Sequence, residues 1–291
     1  MKHRLYVLLL LIIIVLTALL VWQFGAEGEG GVYVPTPVML DATVATYEVG
    51  ITFHRGNALL RDQVWAGLQV LSADGTVGRI AQHWFGFDPT IIPPNPDATA
   101  ALGEVRARTL IVGFDPASAP KSFFNAAGEL VGFDIDLATA VADYFGWDLE
   151  LLPIRWADRE FELQSGNIDT LWGGVTLSET VVDRLYHTPP YMENRQVLVT
   201  MSDSGIRNLR GVRNGTLGLL AGSAAELALE ENTSFRDSLG EVDLREILYS
   251  ALIALQHGQV DAVLMDETAA IYYVLTRDGT AFGGRAYLLA E

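Results

Sequence analysis

The sequence predicts an α/β protein that follows an N-terminal transmembrane helix, and two observations lead to this fold class. Short apolar runs typical of buried strands alternate with segments whose apolar residues recur every three to four positions, as in amphipathic helices. Residues 5–22 form an unbroken run without a charged side chain. Alternating strands and helices are typical of a sheet covered by helices, and the apolar run is close to the length that spans a bilayer.

The predicted N-terminal helix has asymmetric charges at its two ends. Lys2 and Arg4 precede it, whereas Glu27 and Glu29 follow it, so the positive-inside rule places the rest of the chain outside the cell membrane. A cleaved signal peptide is the alternative, but a cut before Glu27 would place the bulky Phe24 where a small residue is usual. We expect residues 1–24 to be an anchor or signal, and residues 25–37 to be a flexible linker.

Composition excludes several function classes. The chain has 36 acidic and 19 basic side chains, a formal charge of -17 and no cysteine. The charge argues against a nucleic-acid partner, because there is no basic surface to replace phosphate counterions. Without cysteine there is no disulfide, thiolate metal site or cysteine nucleophile, and we predict neither a metal site nor a cofactor.

The elements after the linker follow one another as short strands and helices. In chain order, the predictions are a strand at 51–53, a helix capped by Asn57 and ending at Asp74-Gly75, a strand at 109–114, a helix at 135–145 capped by Asp134, strands at 149–154 and 168–171 with a helix at 161–165 between them, a strand at 217–220, helices at 224–231 and 250–256, a strand at 260–265 and a helix at 268–275.

Six sequence motifs, in order and correctly spaced, resemble those of the amino-acid class of ABC-transporter solute-binding proteins. They are Gly128-Glu-Leu-Val-Gly-Phe-Asp-Ile-Asp-Leu137, Leu163-Gln-Ser-Gly-Asn-Ile-Asp169, Gly174-Val-Thr-Leu-Ser178, Pro190-Tyr191, Leu209-Arg-Gly211 with Ala221-Gly-Ser223, and His257-Gly-Gln-Val-Asp-Ala-Val263 with Asp266. The resemblance implies a two-lobe periplasmic-binding-protein-like (type II) fold with a central cleft.

The resemblance extends to residues 49–86, but in an unexpected order. This segment is similar to the strand, long helix, "aDGT" and "WFG" elements that normally end the family pattern, yet here it precedes the pattern. We interpret the chain as a circular permutant, in which residues 38–95 complete lobe 1, residues 96–195 form the rest of lobe 1 and residues 196–291 form lobe 2. A remnant of a tandem pair and a domain-swapped dimer are the alternatives.

Two aspartates follow predicted strands, where an open α/β sheet offers its binding groups. The resemblance matches Asp266 to a carboxylate that holds a ligand ammonium, whereas capping the next helix is its ordinary structural role. Asp115 is a candidate for a polar or cationic ligand group, or a turn residue before Pro116.

The resemblance implies four further binding residues. Gly174 and Thr176 match a loop that offers a carbonyl and a hydroxyl group to the ligand. Ser223 opens a helix whose free amides can receive an anion, and it can equally be an N-cap. Trp156 matches an apolar wall, although a tryptophan is more often a core residue.

One departure concerns the carboxylate anchor of the family. Val181 stands where the resemblance expects an arginine that grips the ligand carboxylate, and valine has no such donors. Arg184 lies one helical turn later and would need a shifted helix to reach the site. Lys121 is the candidate replacement for the missing positive charge, with solvent exposure as the alternative.

The predicted function is an extracytoplasmic protein that captures a small-molecule ligand, an amino acid or amine, for the permease subunits of an ABC importer. A sensory receptor module with the same cleft is the second reading. A dehydratase-like or peptidoglycan-lyase enzyme on the same scaffold is the third, and the sequence contains no catalytic motif that favours it.

Overall fold

The computed structural model describes residues 35–125 and 127–275 of the chain. The predicted anchor and all but the end of the predicted linker lie outside the described residues. Within these two ranges, no helix combines the length and the apolar character needed to cross a membrane.

In the described part of the chain, strands and helices alternate as expected for an α/β protein. The strands are β1 (Pro37–Phe53), β2 (Thr109–Phe114), β3 (Ala117–Ser118), β4 (Ser122–Phe124), β5 (Leu130–Val131), β6 (Asp148–Pro153), β7 (Thr170–Thr176), β8 (Tyr186–His187), β9 (Met192–Met201), β10 (Thr216–Leu220), β11 (Glu241–Arg245) and β12 (Ala262–Asp266). The α-helices are α1 (Ala58–Ala73), α2 (Thr76–Phe85), α3 (Phe133–Phe145), α4 (Arg159–Ser165), α5 (Glu179–Arg184), α6 (Ala224–Glu231), α7 (Thr233–Arg236), α8 (Leu248–Gln256) and α9 (Glu267–Ala270).

A mixed sheet connects the elements of the described chain in the order β11-β10-β12-β9-β1-β7-β2-β6, and β8 pairs with β1 beside this path. The strands β6, β2 and β7 are parallel to one another, as are β11, β10 and β12. The long strands β1 and β9 are antiparallel to each other and lie between the two parallel groups. A small sheet of β3, β4 and β5 lies apart from this one.

Strand β1 packs against both halves of the sheet. Its last residues, Val49 to Phe53, are buried in a core with α1, α2 and α3. Its first residues, Val38 to Leu40, pack instead against cores around β10 and β12. One strand therefore joins the two packed halves, and each parallel group of strands has its own core.

Strand β1 is much longer than the predicted strand at 51–53. Asp41, Thr43 and Glu48 interrupt its apolar pattern, and much of the middle of the strand is only partly buried, so that segment has no clear hydrophobic periodicity. Its backbone pairs with β9 from Pro37↔Met201 to Val49↔Met192, with two register shifts. The pairing, rather than burial of side chains, extends the strand.

Helix α1 confirms its prediction. Leu60, Val64, Leu68 and Leu71 are buried along one face, as their spacing indicates. The helix starts after Asn57, although the Asn57 side chain makes no capping hydrogen bond, and it ends before Asp74.

The prediction that Asp134 caps the next helix is wrong. Helix α3 begins at Phe133, with Gly132 as its N-cap residue, and Asp134 is buried in the first turn. Its Oδ1 accepts a 2.8 Å hydrogen bond from the Tyr191 hydroxyl. Gly132 has φ 142°, and a Cβ there would lie 2.2 Å from the carbonyl oxygen of Lys121, so only glycine fits at this start.

Candidate functional site

A cavity of about 400 Å³ lies where β2, β7 and β12 end and α6 begins. All seven binding residues predicted from the sequence line it: Asp115, Lys121, Trp156, Gly174, Thr176, Ser223 and Asp266. They come from both packed halves of the described chain, and the fold therefore brings together groups that lie up to 151 residues apart in the sequence, from Asp115 to Asp266.

Lys121 and Asp266 form an ion pair in this cavity. The Nζ of Lys121 lies 2.7 Å from Oδ2 of Asp266. Lys121 is only 4% exposed, so the alternative that it is a solvated surface residue is wrong. Asp266 is the N-cap residue of α9 but makes no side-chain capping bond, because its carboxylate is turned toward Lys121.

The other oxygen of Asp266 is also bonded. Gln196 donates from Nε2 to Oδ1 at 2.8 Å, and Gln196 is paired with Asp266 in the antiparallel register of β9 and β12. Neither Gln196 nor the nearby cavity residue Asn194 was predicted, because the sequence carries no signal for which residue of β9 faces Asp266. The register of two distant strands decides that contact.

The ion pair sets the protonation of both partners. Burial alone would raise the pKa of Asp266, but the Lys121 ammonium and hydrogen bonds from Gln196 and Asn194 hold it below its ordinary value. Burial would lower the pKa of Lys121, but the Asp266 carboxylate raises it above the usual value. Both groups are therefore charged at neutral pH.

Gly174 provides the space that the Lys121 side chain occupies. It follows the buried part of β7 with φ 77°, and a Cβ built there would lie 2.6 Å from Nζ of Lys121 and 3.2 Å from Cε. Thr176 ends the same strand, opposite Val49 of β1. Gly174 and Thr176 were predicted on a loop after a strand at 168–171, but both lie within β7. Both line the cavity, and Gly174 packs directly on the lysine.

Asp115 lies in the same cavity with different partners. Its Oδ1 accepts a 2.9 Å hydrogen bond from the amide of Ala117, which is the turn geometry expected of an aspartate before proline. Burial raises the pKa of Asp115, and the Ala117 amide and the Lys121 charge only partly oppose this rise. No ion-pair partner of Asp115 lies within 4 Å among the described residues.

Trp156 forms part of the wall together with Arg159, which was not predicted. The Arg159 guanidinium lies 4.8 Å from the ring centre of Trp156, and its NH1 donates to the Trp156 carbonyl oxygen at 2.8 Å. Arg159 lies three positions after Trp156, so the turn that leads into α4 places the guanidinium on the ring. That spacing is the one sequence signal from which Arg159 could have been predicted.

Of the two positions considered for the missing arginine, 181 and 184, only one lies at the cavity. Val181 lines the cavity. Arg184 is not among the lining residues, and its NH1 lies 3.9 Å from Oε2 of Glu160. Helix α5 therefore points Arg184 elsewhere, and the cations at the cavity are Lys121 and Arg159 among the described residues.

Ser223 was predicted either as an N-cap or as part of an anion site, and the structure confirms that it is the N-cap of α6. Its Oγ accepts from the Glu226 amide at 3.4 Å and donates to the Leu220 carbonyl oxygen at 2.6 Å. The carboxylate of Glu226 returns to the amide of Gly222 at 2.6 Å. This reciprocal arrangement resembles a capping box in which the carboxylate accepts from the residue before the N-cap, and it places an acidic side chain at the helix start.

Asp134 lies behind the cavity and interacts with the same lysine. Burial raises its pKa to about 7, although the Lys121 charge and the Tyr191 hydroxyl oppose the rise. Its Oδ2 is buried without a hydrogen-bond partner. A protonated carboxyl group satisfies this position better than a carboxylate.

A family model matches more than half of the chain. Residues 110–280 match the model of the bacterial extracellular solute-binding proteins, family 3. The L-cystine-binding protein TcyJ of Escherichia coli (strain K12) is 30% identical over 194 residues, which are 65% of this chain and 71% of that protein.

Solved structures agree with that match. An ABC uptake transporter substrate-binding protein from Streptococcus pneumoniae with bound histidine is 34% identical with a TM-score of 0.54, over 57% of this chain and 68% of that one. The ancestral amino acid-binding protein AncCDT-1, a precursor of cyclohexadienyl dehydratase, is 28% identical with a TM-score of 0.53, over 57% and 73% of the two chains.

Proposed function

Because this chain belongs to the bacterial extracellular solute-binding proteins, family 3, we propose that its cavity captures a small polar solute, an amino acid or a related compound, for the permease of an ABC importer. The observation that carries the proposal is the convergence of Asp115, Lys121, Gly174, Ser223 and Asp266 on one cavity. A volume of about 400 Å³ is suited to a small molecule.

The cavity combines apolar walls with a few fixed polar groups. Trp156, Val181 and Leu264 supply apolar surface, whereas Arg159 and Asp115 supply charge. A solute in contact with both halves would stabilise their closed arrangement, because each half contributes contacts that exist together only when the cavity is shut. Such closure is the signal that a permease can recognise.

Binding without catalysis is the better supported activity. Lys121 and Asp266 form an ion pair that favours the charged form of both groups, so neither is poised to exchange a proton with a substrate. The similarity to AncCDT-1, a precursor of a dehydratase, keeps an enzyme as a second candidate. Chemical conversion of a bound solute would show that the protein is an enzyme.

We further propose that the chain is a circular permutant held outside the membrane by residues 1–24. Strand β1 precedes the matched region, yet it lies between β9 and β7, which both belong to that region. Moving residues 38–95 behind residue 291 through a flexible linker should preserve folding and binding. A rearranged chain that does not fold would contradict the permutation.

The function is tested by solute-dependent thermal unfolding of the full chain in detergent, followed by tryptophan fluorescence. A bound solute raises Tm in proportion to the logarithm of its excess. Ala117→Trp fills the cavity from an exposed lining position and should abolish the rise, whereas Ala100→Trp, exposed and outside the cavity, should not. A panel of amino acids, amines and carboxylates that leaves Tm unchanged contradicts the proposal.

A further inference from the structure

The position of the Lys121 ammonium narrows the class of solute, and this inference rests on the proposed function. The lysine backbone is fixed on both sides: its amide donates to the Ser118 carbonyl at 2.8 Å, and its carbonyl accepts from the Asp134 amide at 2.9 Å. The side chain is 5% exposed and lines the cavity. Its ammonium is thus a built part of the wall rather than a mobile surface charge.

Asp266 already has its counter-ion in this chain. Lys121 takes Oδ2 at 2.7 Å and Gln196 takes Oδ1 at 2.8 Å. A ligand ammonium beside this carboxylate would lie next to the Lys121 ammonium and be repelled by it. If it displaced Lys121 instead, it would leave a buried ammonium without its counter-ion. Separating a buried pair in this way is strongly unfavourable.

The backbone beside the pair is shaped for the lysine. Any side chain at residue 174 would place its Cβ 2.6 Å from Nζ, and the glycine there removes that clash. The space next to Asp266 is therefore filled by a group of this chain that has the charge and donor geometry of a primary ammonium.

Arg159 is the cation of the cavity that remains open to a ligand. Its guanidinium stacks on Trp156, and one of its donors goes to a backbone carbonyl. Among the described residues, no carboxylate forms an ion pair with it, since the neighbouring Glu160 lies beside Arg184 instead. A guanidinium in this setting is suited to a carboxylate.

We propose that Lys121 is a built-in substitute for a ligand ammonium, and that the cavity takes a small carboxylate without a primary amine at that point, held by Arg159. The cavity lining also contains the acidic residues Asp115 and Glu230. Lys121 is a specificity-determining residue, because it rejects the α-amino form of the same compound.

The test compares compounds that differ by one amino group. The pairs are 3-(imidazol-4-yl)propionate with histidine and glutarate with glutamate, each titrated against the full chain in detergent by thermal unfolding. We expect the compound without the amine to bind roughly a hundredfold or more tightly in at least one pair. Equal affinities, or tighter binding of the amino acid, overturn the inference while leaving the proposed function intact. No response to any of the four contradicts the inference, whereas the proposed function is contradicted only if the wider panel of solutes also leaves Tm unchanged.

Two variants provide the control. Lys121→Met removes the ammonium and frees Asp266, so the order within the responding pair should reverse. In Lys121→Met with Asp266→Asn, neither charge remains, and the preference for the amino acid should disappear. An unchanged order in the single variant overturns the inference.

Chemical rescue gives a readout that does not depend on the natural solute. Lys121→Ala leaves a gap beside Asp266, and propylammonium should raise the Tm of this variant but not of the parent chain. Tetramethylammonium, which has no N–H donor, serves as the matched control. If propylammonium and tetramethylammonium change the Tm of Lys121→Ala and of the parent chain to the same extent, the Lys121 ammonium does not lie beside Asp266.

Discussion

Two strand-end aspartates line the cavity, and their pKa values are shifted in opposite directions. Asp266, after β12, is bonded on both oxygens, and the Lys121 ammonium holds its pKa low in spite of burial. Asp115, after β2, accepts one local amide hydrogen bond, and burial raises its pKa. The same residue type at two strand ends therefore differs: Asp266 pairs with a cation of this chain, whereas Asp115 has no ion-pair partner among the described residues.

The largest effect on stability is expected from breaking the ion pair between Lys121 and Asp266. Lys121→Met leaves Asp266 partly buried without its counter-ion and should lower the free energy of unfolding by about 3–5 kcal/mol. Asp115→Asn should change it by less than about 1 kcal/mol, since no ion pair is lost. Urea unfolding of both variants measures the difference.

A matched double variant sharpens that result. Adding Asp266→Asn to Lys121→Met removes the unpaired charge and should recover much of the lost stability. Equal destabilisation by Lys121→Met and Asp115→Asn would show that the electrostatic surroundings of Asp266 and Asp115 do not differ.

The pH dependence of stability distinguishes Asp134, whose pKa is raised, from Asp266, whose pKa is lowered. Asp134 has a pKa of about 7, above its unfolded value of about 3.9, so the native state holds an extra proton between these values. Stability should therefore fall as pH rises from about 4 to about 7, by up to about 4 kcal/mol from this group. Asp266, with a lowered pKa, acts in the opposite sense and loses its contribution only as pH falls below about 4.

Asp134→Asn tests the assignment of that slope. The amide can still accept from the Tyr191 hydroxyl, but it does not titrate. The decline of stability between pH 4 and pH 7 should become shallower than in the parent chain. An identical profile would assign the slope to other groups.

Gly174→Ala is expected to have an intermediate effect. The φ of 77° is unfavourable for alanine, and the new Cβ would press on the Lys121 ammonium. We expect a loss of about 2 kcal/mol. The substitution Gly222→Ala, at φ 68° with no atom within 4 Å of the added Cβ, is the control for backbone strain alone. An equal loss in both variants would argue against the contact with Lys121.

The smallest effect on stability is expected at Arg159. Arg159→Gln removes the guanidinium that lies over the Trp156 ring and should lower the free energy of unfolding by about 1 kcal/mol or less. Binding of a carboxylate solute should nevertheless weaken about tenfold or more, because charge-assisted hydrogen bonds are lost. Unchanged affinity would place the carboxylate elsewhere in the cavity.

The sequence predicted those parts of the fold that have a local physical cause. The strand at 109–114 and the helix at 224–231 lie where their apolar patterns and the Ser223 cap predicted them. Strand β1 was largely missed, since its polar middle is held by backbone pairing with β9. Asp134 was assigned as a cap because its contact with Tyr191, 57 residues away, leaves no trace in the local pattern.

The candidate site was predictable as a set of residues but not as a network. All seven predicted positions line one cavity, because strand ends and helix starts converge there. Their ligand-binding roles stay a prediction. The pairing of Lys121 with Asp266 spans 145 residues, and it depends on the folded arrangement of both halves and on the space left by Gly174.

The central claim is that the Lys121 ammonium is sequestered on Asp266, and ¹⁵N NMR of the lysine side chains tests it most directly. The chain contains two lysines, Lys2 and Lys121, so a protein labelled at lysine Nζ gives two ammonium signals to assign. We predict one slowly exchanging ammonium resonance at neutral pH that is lost in Asp266→Asn and is unmoved by added amino acids. Two rapidly exchanging, solvent-like resonances in the parent chain would contradict the account.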